Sequence, residues 1–190
     1  MLCINKDNSS LIIKEKISMN NKIKIILVGG PCSGKTTLCK MLSEKYKTTF
    51  IDEILMKYMI EHNLKSKDCT SDIILQCMKQ QAIEENESYK KINDVQFCEG
   101  TSFSGISTLY SKELEEIIKL QLTNCKQIFL CDNNIPYINT AVRPNHKDAL
   151  DCHKAIVNYL NQNNLNYVLL SGSLEERIKI IDNFIKKEFK

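Results

Sequence analysis

Nothing in this sequence approaches the roughly 18 to 20 consecutive apolar residues that a membrane-spanning helix needs. Lys14, Glu15 and Lys16 interrupt "LIIKEKI", where a secretory signal would keep its apolar core intact. A cytoplasmic protein is expected. There is no C-x-x-C pair and no Cys/His group at zinc spacing, although nine cysteines are scattered at 3, 32, 39, 69, 77, 98, 125, 131 and 152. They are expected to be reduced thiols in a reducing compartment. The three histidines, 62, 146 and 153, have no mutual spacing for a metal or a nucleophilic triad, and they read as surface or core residues, with His146 a candidate lid residue. Basic blocks and interleaved aromatics are absent too, and the formal charge is only +3. Nucleic acid is not an expected partner. Arginine is scarce: two of 26 basic residues, Arg143 and Arg177. Where lysine is so preferred, an arginine suggests a need for the planar guanidinium fork.

What is present is concentrated in "KIILVGGPCSGKTTLCK". Gly29, Gly34, Lys35 and Thr36 fill the pattern G-x-x-x-x-G-K-T, with a β-branched run before it and a helix-prone run after. Glycines let main-chain N–H groups close around phosphate oxygens, and the helix N-terminus that follows adds a partial positive charge. Gly29, Gly30, Pro31, Cys32, Ser33, Gly34, Lys35, Thr36 and Thr37 are therefore the expected nucleotide-binding segment, for ATP or GTP with Mg2+. Lys35 is expected on the β- and γ-phosphates and the Thr36 hydroxyl on the metal. Cys32, among N–H dipoles and near Lys35, could be an oxidisable thiol or simply fill a permissive loop position.

Short apolar runs at 23–28, 48–51, 94–98, 126–131 and 166–170 alternate with helical patterns. This rhythm predicts a three-layer α/β/α P-loop NTPase fold with a five-stranded parallel sheet, its ligands beyond the C-terminal strand ends. One domain is expected over 22–190, behind a loosely ordered leader, 1–21, in which Met19 is a possible alternative start. Ile73, Ile74, Cys77, Met78 and Ile83 recur at helical spacing and are expected to pack in the core.

Acidic residues follow the strands. Asp52 and Glu53 close the second expected strand, where a carboxylate can take the proton of an acceptor hydroxyl, or alternatively complement a helix dipole. Glu99 closes the third, where one acidic group can hold magnesium through water. Arg143, in the polar loop "PYINTAVRPNHKD", is the candidate for neutralising a migrating phosphoryl group. Arg177 follows the last strand, either beside the nucleotide base or in a surface i,i+4 ion pair.

In this order, residues from about 22 to 188 resemble the NadR-type nicotinamide riboside kinase domain, within a wider family of NadR-like P-loop ATPase domains. The resemblance rests on "GGPCSGKTTL", on Glu53 opening a helix, on "IPYINTAVR" and on "YVLLSGSLEERIKII". It implies a kinase that moves the γ-phosphate of ATP onto a small nucleoside-like acceptor. The departures fall on the acceptor side: Met56 stands where the family has Arg, with Lys57 adjacent; Glu99-Gly100-Thr101 replaces the acidic-Thr pair; and Thr140-Ala141 replaces Asp-Gly. Asn139 and Asp132 are candidate substitutes for ribose recognition. The same family implies an alternative, a nucleotide-dependent trafficking switch with a protein partner and little turnover, for which a guanine-selecting N-K-x-D motif is missing.

Overall fold

The computed structural model describes residues 22–65, 68–137 and 145–190. Four strands and seven helices follow in chain order: β1 (Ile23–Val28), α1 (Lys35–Lys45), α2 (Ile54–Glu61), α3 (Ser71–Lys91), β2 (Val95–Glu99), α4 (Thr101–Ser104), α5 (Lys112–Gln121), β3 (Cys125–Cys131), α6 (His146–Gln162), β4 (Tyr167–Leu170) and α7 (Leu174–Glu188). A 3-10 turn, Gly105–Ser107, continues α4. The sheet order is β2-β1-β3-β4, and every pairing is parallel.

β1 is central and all six of its residues are buried. Because successive strand residues face opposite ways, its side chains feed two separate cores. Ile26 and Val28 pack with Cys98, Ile128 and Leu130 under α3, α5 and α6. Ile25 and Leu27 pack with Phe97, Phe129 and Cys131 under α1 and α7. The result is helices on both faces of one sheet, as the alternating pattern predicts.

The sheet has one strand fewer than the sequence suggests. Residues 48–51 do not pair with a strand, and side chains of α3 hold this segment and the start of α2. Ser88 Oγ donates to Thr49 Oγ1 at 3.2 Å, Gln81 Nε2 donates to the Ile51 carbonyl at 3.4 Å, and the Ile54 amide donates to Gln81 Oε1 at 2.9 Å. Main-chain groups satisfied in this way have no need of a ladder.

α3 corrects a second expectation. Cys77 and Met78 are buried and Ile73 and Ile74 are partly buried, but Ile83 is 38% exposed. The inward face continues through Gln81, Ala82 and Glu85, so in its second half this helix turns polar groups toward the protein. Among the described residues no helix is long and apolar enough to cross a membrane.

Candidate functional site

The phosphate loop runs from the end of β1 to the start of α1. Gly29 (φ 146°) and Gly34 (φ 86°) occupy conformations that L side chains rarely adopt, and Cys32 is also left-handed, at φ 64°. A Cβ on Gly29 would lie 2.7 Å from the Cys131 carbonyl oxygen at the end of β3. The first turn of α1 has no side-chain cap and no acidic residue, which leaves its N–H groups directed at an anion site. Lys35 Nζ donates to the carbonyls of Gly29 and Gly30, both at 3.0 Å. Its ammonium is thereby held over the loop.

Two groups outside the motif fix the loop from behind. Arg177, on α7, is 1% exposed, so it is not a surface ion-pair residue. Its guanidinium donates from Nη1 to the Ser33 carbonyl at 2.8 Å, from Nε to the Gly172 carbonyl at 3.2 Å, and from Nη2 to the Asp132 carbonyl at 3.2 Å and to Asn134 Oδ1. One side chain thus joins the phosphate loop to the loops that follow β3 and β4. His153, on α6, accepts the Gly30 amide at Nδ1, at 3.3 Å. Burial lowers its pKa, Asp132 opposes that shift and Lys35 adds to it. Nothing in the sequence distinguishes His153 from an ordinary helix histidine; only the close pass of α6 over Gly30, whose Cβ would lie 2.7 Å from the Ala149 carbonyl, reveals it.

Thr36 Oγ1 donates to Glu99 Oε1 at 2.7 Å. Glu99 is 3% exposed, and its Oε2 is buried without a hydrogen-bond partner. A buried carboxylate oxygen in that condition is costly unless something positive meets it. The donor set here, one hydroxyl and one carboxylate beside a phosphate loop, consists of hard oxygens and suits Mg2+, which keeps several waters and takes its other ligands from phosphate. Among the described residues no group of three or more His, Cys, Asp or Glu gathers as a self-sufficient metal site, and a nucleotide-borne magnesium does not need one. The residues fit the ion.

The Asp52–Glu53 corner is tied to α1, the helix that opens at the phosphate loop. Asp52 pairs with Lys40 of α1 at 2.8 Å and with Lys57 at 3.9 Å. The hydrogen bond from Lys40 lowers its pKa. Glu53 is the N-cap residue of α2, without a side-chain cap hydrogen bond. With Ile54, Leu55, Cys77, Met78, Gln81 and Thr101 it lines a crevice between α2 and α3. Asp132 faces the turn after β4, accepting from Ser171 Oγ at 2.8 Å and from the Asn133 amide at 2.7 Å. His146 opens α6, with its ring 5.0 Å from that of Tyr137. Arg143, Asn139, Thr140 and Ala141 lie outside the described residues.

A search among curated proteins found no match. Among solved structures, NadR in complex with NAD and AMP-PNP superposes with a TM-score of 0.72 at 16% identity, over 98% of this chain and 59% of that one. NadR in complex with NR gives 0.71 at 15% identity, over 97% and 59%. Thymidylate kinase from Candida albicans gives 0.62 at 13% identity, over 90% and 94%. The chain therefore spans about three fifths of the length of the NadR structures it matches. At these identities the likeness is one of fold, a parallel sheet with flanking helices of the kind seen in P-loop nucleoside and nucleotide kinases. The AAA domain model AAA_28 matches residues 24–177, from β1 to the arginine that clamps the phosphate loop. The chain belongs to this AAA-domain family and has a NadR-like P-loop fold.

Proposed function

We propose that this protein is a kinase that transfers the γ-phosphate of ATP to the hydroxyl of a small, nucleoside-like acceptor. The observation that carries the reading is the Thr36–Glu99 pair, with its buried, unpartnered carboxylate oxygen beneath the phosphate loop. A second carboxylate-bearing corner, Asp52–Glu53, is tied to α1 through Lys40. In this reading the α1 N-terminus and Lys35 hold the phosphates, and Thr36 with Glu99 would hold magnesium. The chemistry such an ion would supply is neutralisation of the phosphate charge.

Glu53, which lines the crevice between α2 and α3, is assigned the proton of the acceptor hydroxyl. Arg143 is kept as the candidate cation on the migrating phosphoryl group. Phosphoryl transfer asks the protein mainly for alignment and charge stabilisation, and these few groups are sufficient. The kinase fold and the NadR structures bound to NAD with AMP-PNP and to NR support a nucleoside-type acceptor. Nicotinamide riboside is the first to try.

The test is loss of γ-phosphate from labelled ATP and GTP with magnesium, with and without a panel of nucleosides, using Lys35→Ala as the blank. The expected result is transfer from ATP onto one nucleoside, absent in Lys35→Ala and reduced about 100-fold or more in Glu53→Gln as a general base is lost. Tight nucleotide binding with no transfer to any acceptor would overturn the proposal and favour a nucleotide-dependent switch.

A further inference from the structure

The inner half of α3 is polar, and what it holds is specific. Glu85 is 1% exposed, and each of its carboxylate oxygens accepts from a different glutamine: Oε1 from Gln81 Nε2 at 3.0 Å, and Oε2 from Gln121 Nε2 at 3.1 Å. Both glutamines are themselves buried. Gln121 spends its second amide hydrogen on the carbonyl of Glu99, at 2.9 Å, and its oxygen accepts from Ser102. Gln81 uses its oxygen for the Ile54 amide and its second hydrogen for the Ile51 carbonyl. Its carboxamide therefore brackets the two residues between them, Asp52 and Glu53. One buried carboxylate sits midway between the metal-side acid and the acceptor-side acid, with one glutamine reaching each way.

Lys24 provides the counter-charge. It is fully buried, 4.0 Å from Glu85 Oε2, and donates to the Gln121 carbonyl at 2.7 Å and to Asn86 Oδ1 at 3.0 Å. Burying a carboxylate and an ammonium is costly, and apolar residues of similar volume commonly give equal or greater stability. Gross stability therefore does not account for the arrangement. A geometric role does, because directional hydrogen bonds tie the main chain at Glu99 and at Ile51 and Ile54 to a common point.

We propose that Gln81 is a positioning residue of the transfer site: anchored on Glu85, it fixes the Asp52–Glu53 corner at a set distance from Glu99 and Thr36. The inference rests on the kinase reading above. Gln81 touches neither phosphate nor acceptor in this scheme; it acts through the main chain on either side of Glu53. Misplacing a catalytic group by about 1 Å can cost roughly 100-fold in rate, so the corner matters more to turnover than to nucleotide binding.

The experiment compares the wild type with Gln81→Met, Gln81→Glu, Glu85→Gln and the exchanged pair Gln81→Glu/Glu85→Gln. In the exchanged pair a carboxylate at 81 still accepts from Ile54, and a carboxamide at 85 still links 81 to Gln121, but the Ile51 carbonyl loses its donor and Lys24 its counter-charge, so only the link to Ile54 is rebuilt. Three quantities are read: transfer kinetics, MgATP affinity, and hydrogen exchange of the Ile54 amide. Gln81→Met is expected to accelerate Ile54 exchange and to lower kcat about 10- to 100-fold, with MgATP affinity within about twofold of wild type because no phosphate contact is removed. Gln81→Glu, which sets two carboxylates against each other, should be worse, and the exchanged pair, which relieves that repulsion, should recover part of the kcat that Gln81→Glu loses. Unchanged Ile54 exchange in Gln81→Met would overturn the proposal. So would a Gln81→Met variant whose loss of MgATP affinity matches its loss of kcat. A wild type that transfers phosphate to no acceptor would bring down the kinase reading instead, and the exchange data would still decide whether Gln81 holds the corner.

Discussion

Replacing Arg177 tests whether the phosphate loop depends on a clamp from the far end of the chain. Arg177→Met removes the donors that serve four oxygens: the carbonyls of Ser33, Gly172 and Asp132, and the side chain of Asn134. A buried acceptor left without its donor costs about 1–3 kcal/mol. The bond to Ser33 is buried and the others are partly accessible to water, so one full penalty and three reduced ones amount to about 3 kcal/mol. With a urea slope of about 2 kcal/mol per molar, the midpoint falls by about 1.5 M. Arg177→Lys keeps the charge but loses the planar fork, and about half that shift is expected. Urea unfolding with and without 1 mM MgATP (about the millimolar scale at which ligand linkage becomes visible) reads both effects. ATP should protect Arg177→Lys less than wild type, because the Ser33 carbonyl is no longer pinned. The reasoning is refuted if Arg177→Met lies within about 0.5 kcal/mol of wild type, the size of an ordinary surface change, or if the Lys and Met variants behave alike.

Two further outcomes follow from the buried charges. Lys24→Met strands the Glu85 carboxylate and should cost about 3–5 kcal/mol, whereas Lys24→Met/Glu85→Gln should regain most of it; equal losses in both would rule out a charge origin. For His153, burial holds the pKa below its ordinary 6.5. The unfolded chain therefore takes up the proton first as pH falls. The stability this confers is complete above about pH 6.5 and is lost as pH falls from there through the lower, folded pKa. Between pH 7.5 and 5.5 (either side of the ordinary value of about 6.5), wild type should lose more stability than His153→Gln, and parallel losses would count against the buried neutral imidazole.

The parts of this fold legible in the sequence are those where residue type and environment agree. "IKIILV", "VQFCE" and "KQIFLC" are apolar runs with turn signals after them, and they form β1, β2 and the body of β3 within a residue or two of expectation. The phosphate loop was readable because its glycines answer a backbone demand. Illegible were the places where polar side chains do the work of main chain or of core. Gln81, Glu85 and Gln121 read as outward-facing helix residues, because polarity at helical spacing ordinarily means solvent. The burial of Arg177 depends on three loops converging, which local pattern does not encode.

Among the bonds that hold the phosphate loop, the one from Arg177 to Ser33 spans 144 positions of sequence. β1 pairs with residues 95–99 on one edge and 125–131 on the other, and its loop is clamped only once α7, which follows β4, has been made. Such non-local closure is slow. During synthesis the phosphate-loop motif is thus made well before the arginine that clamps it, so a nascent chain carries the whole motif before its loop is held as in the finished fold.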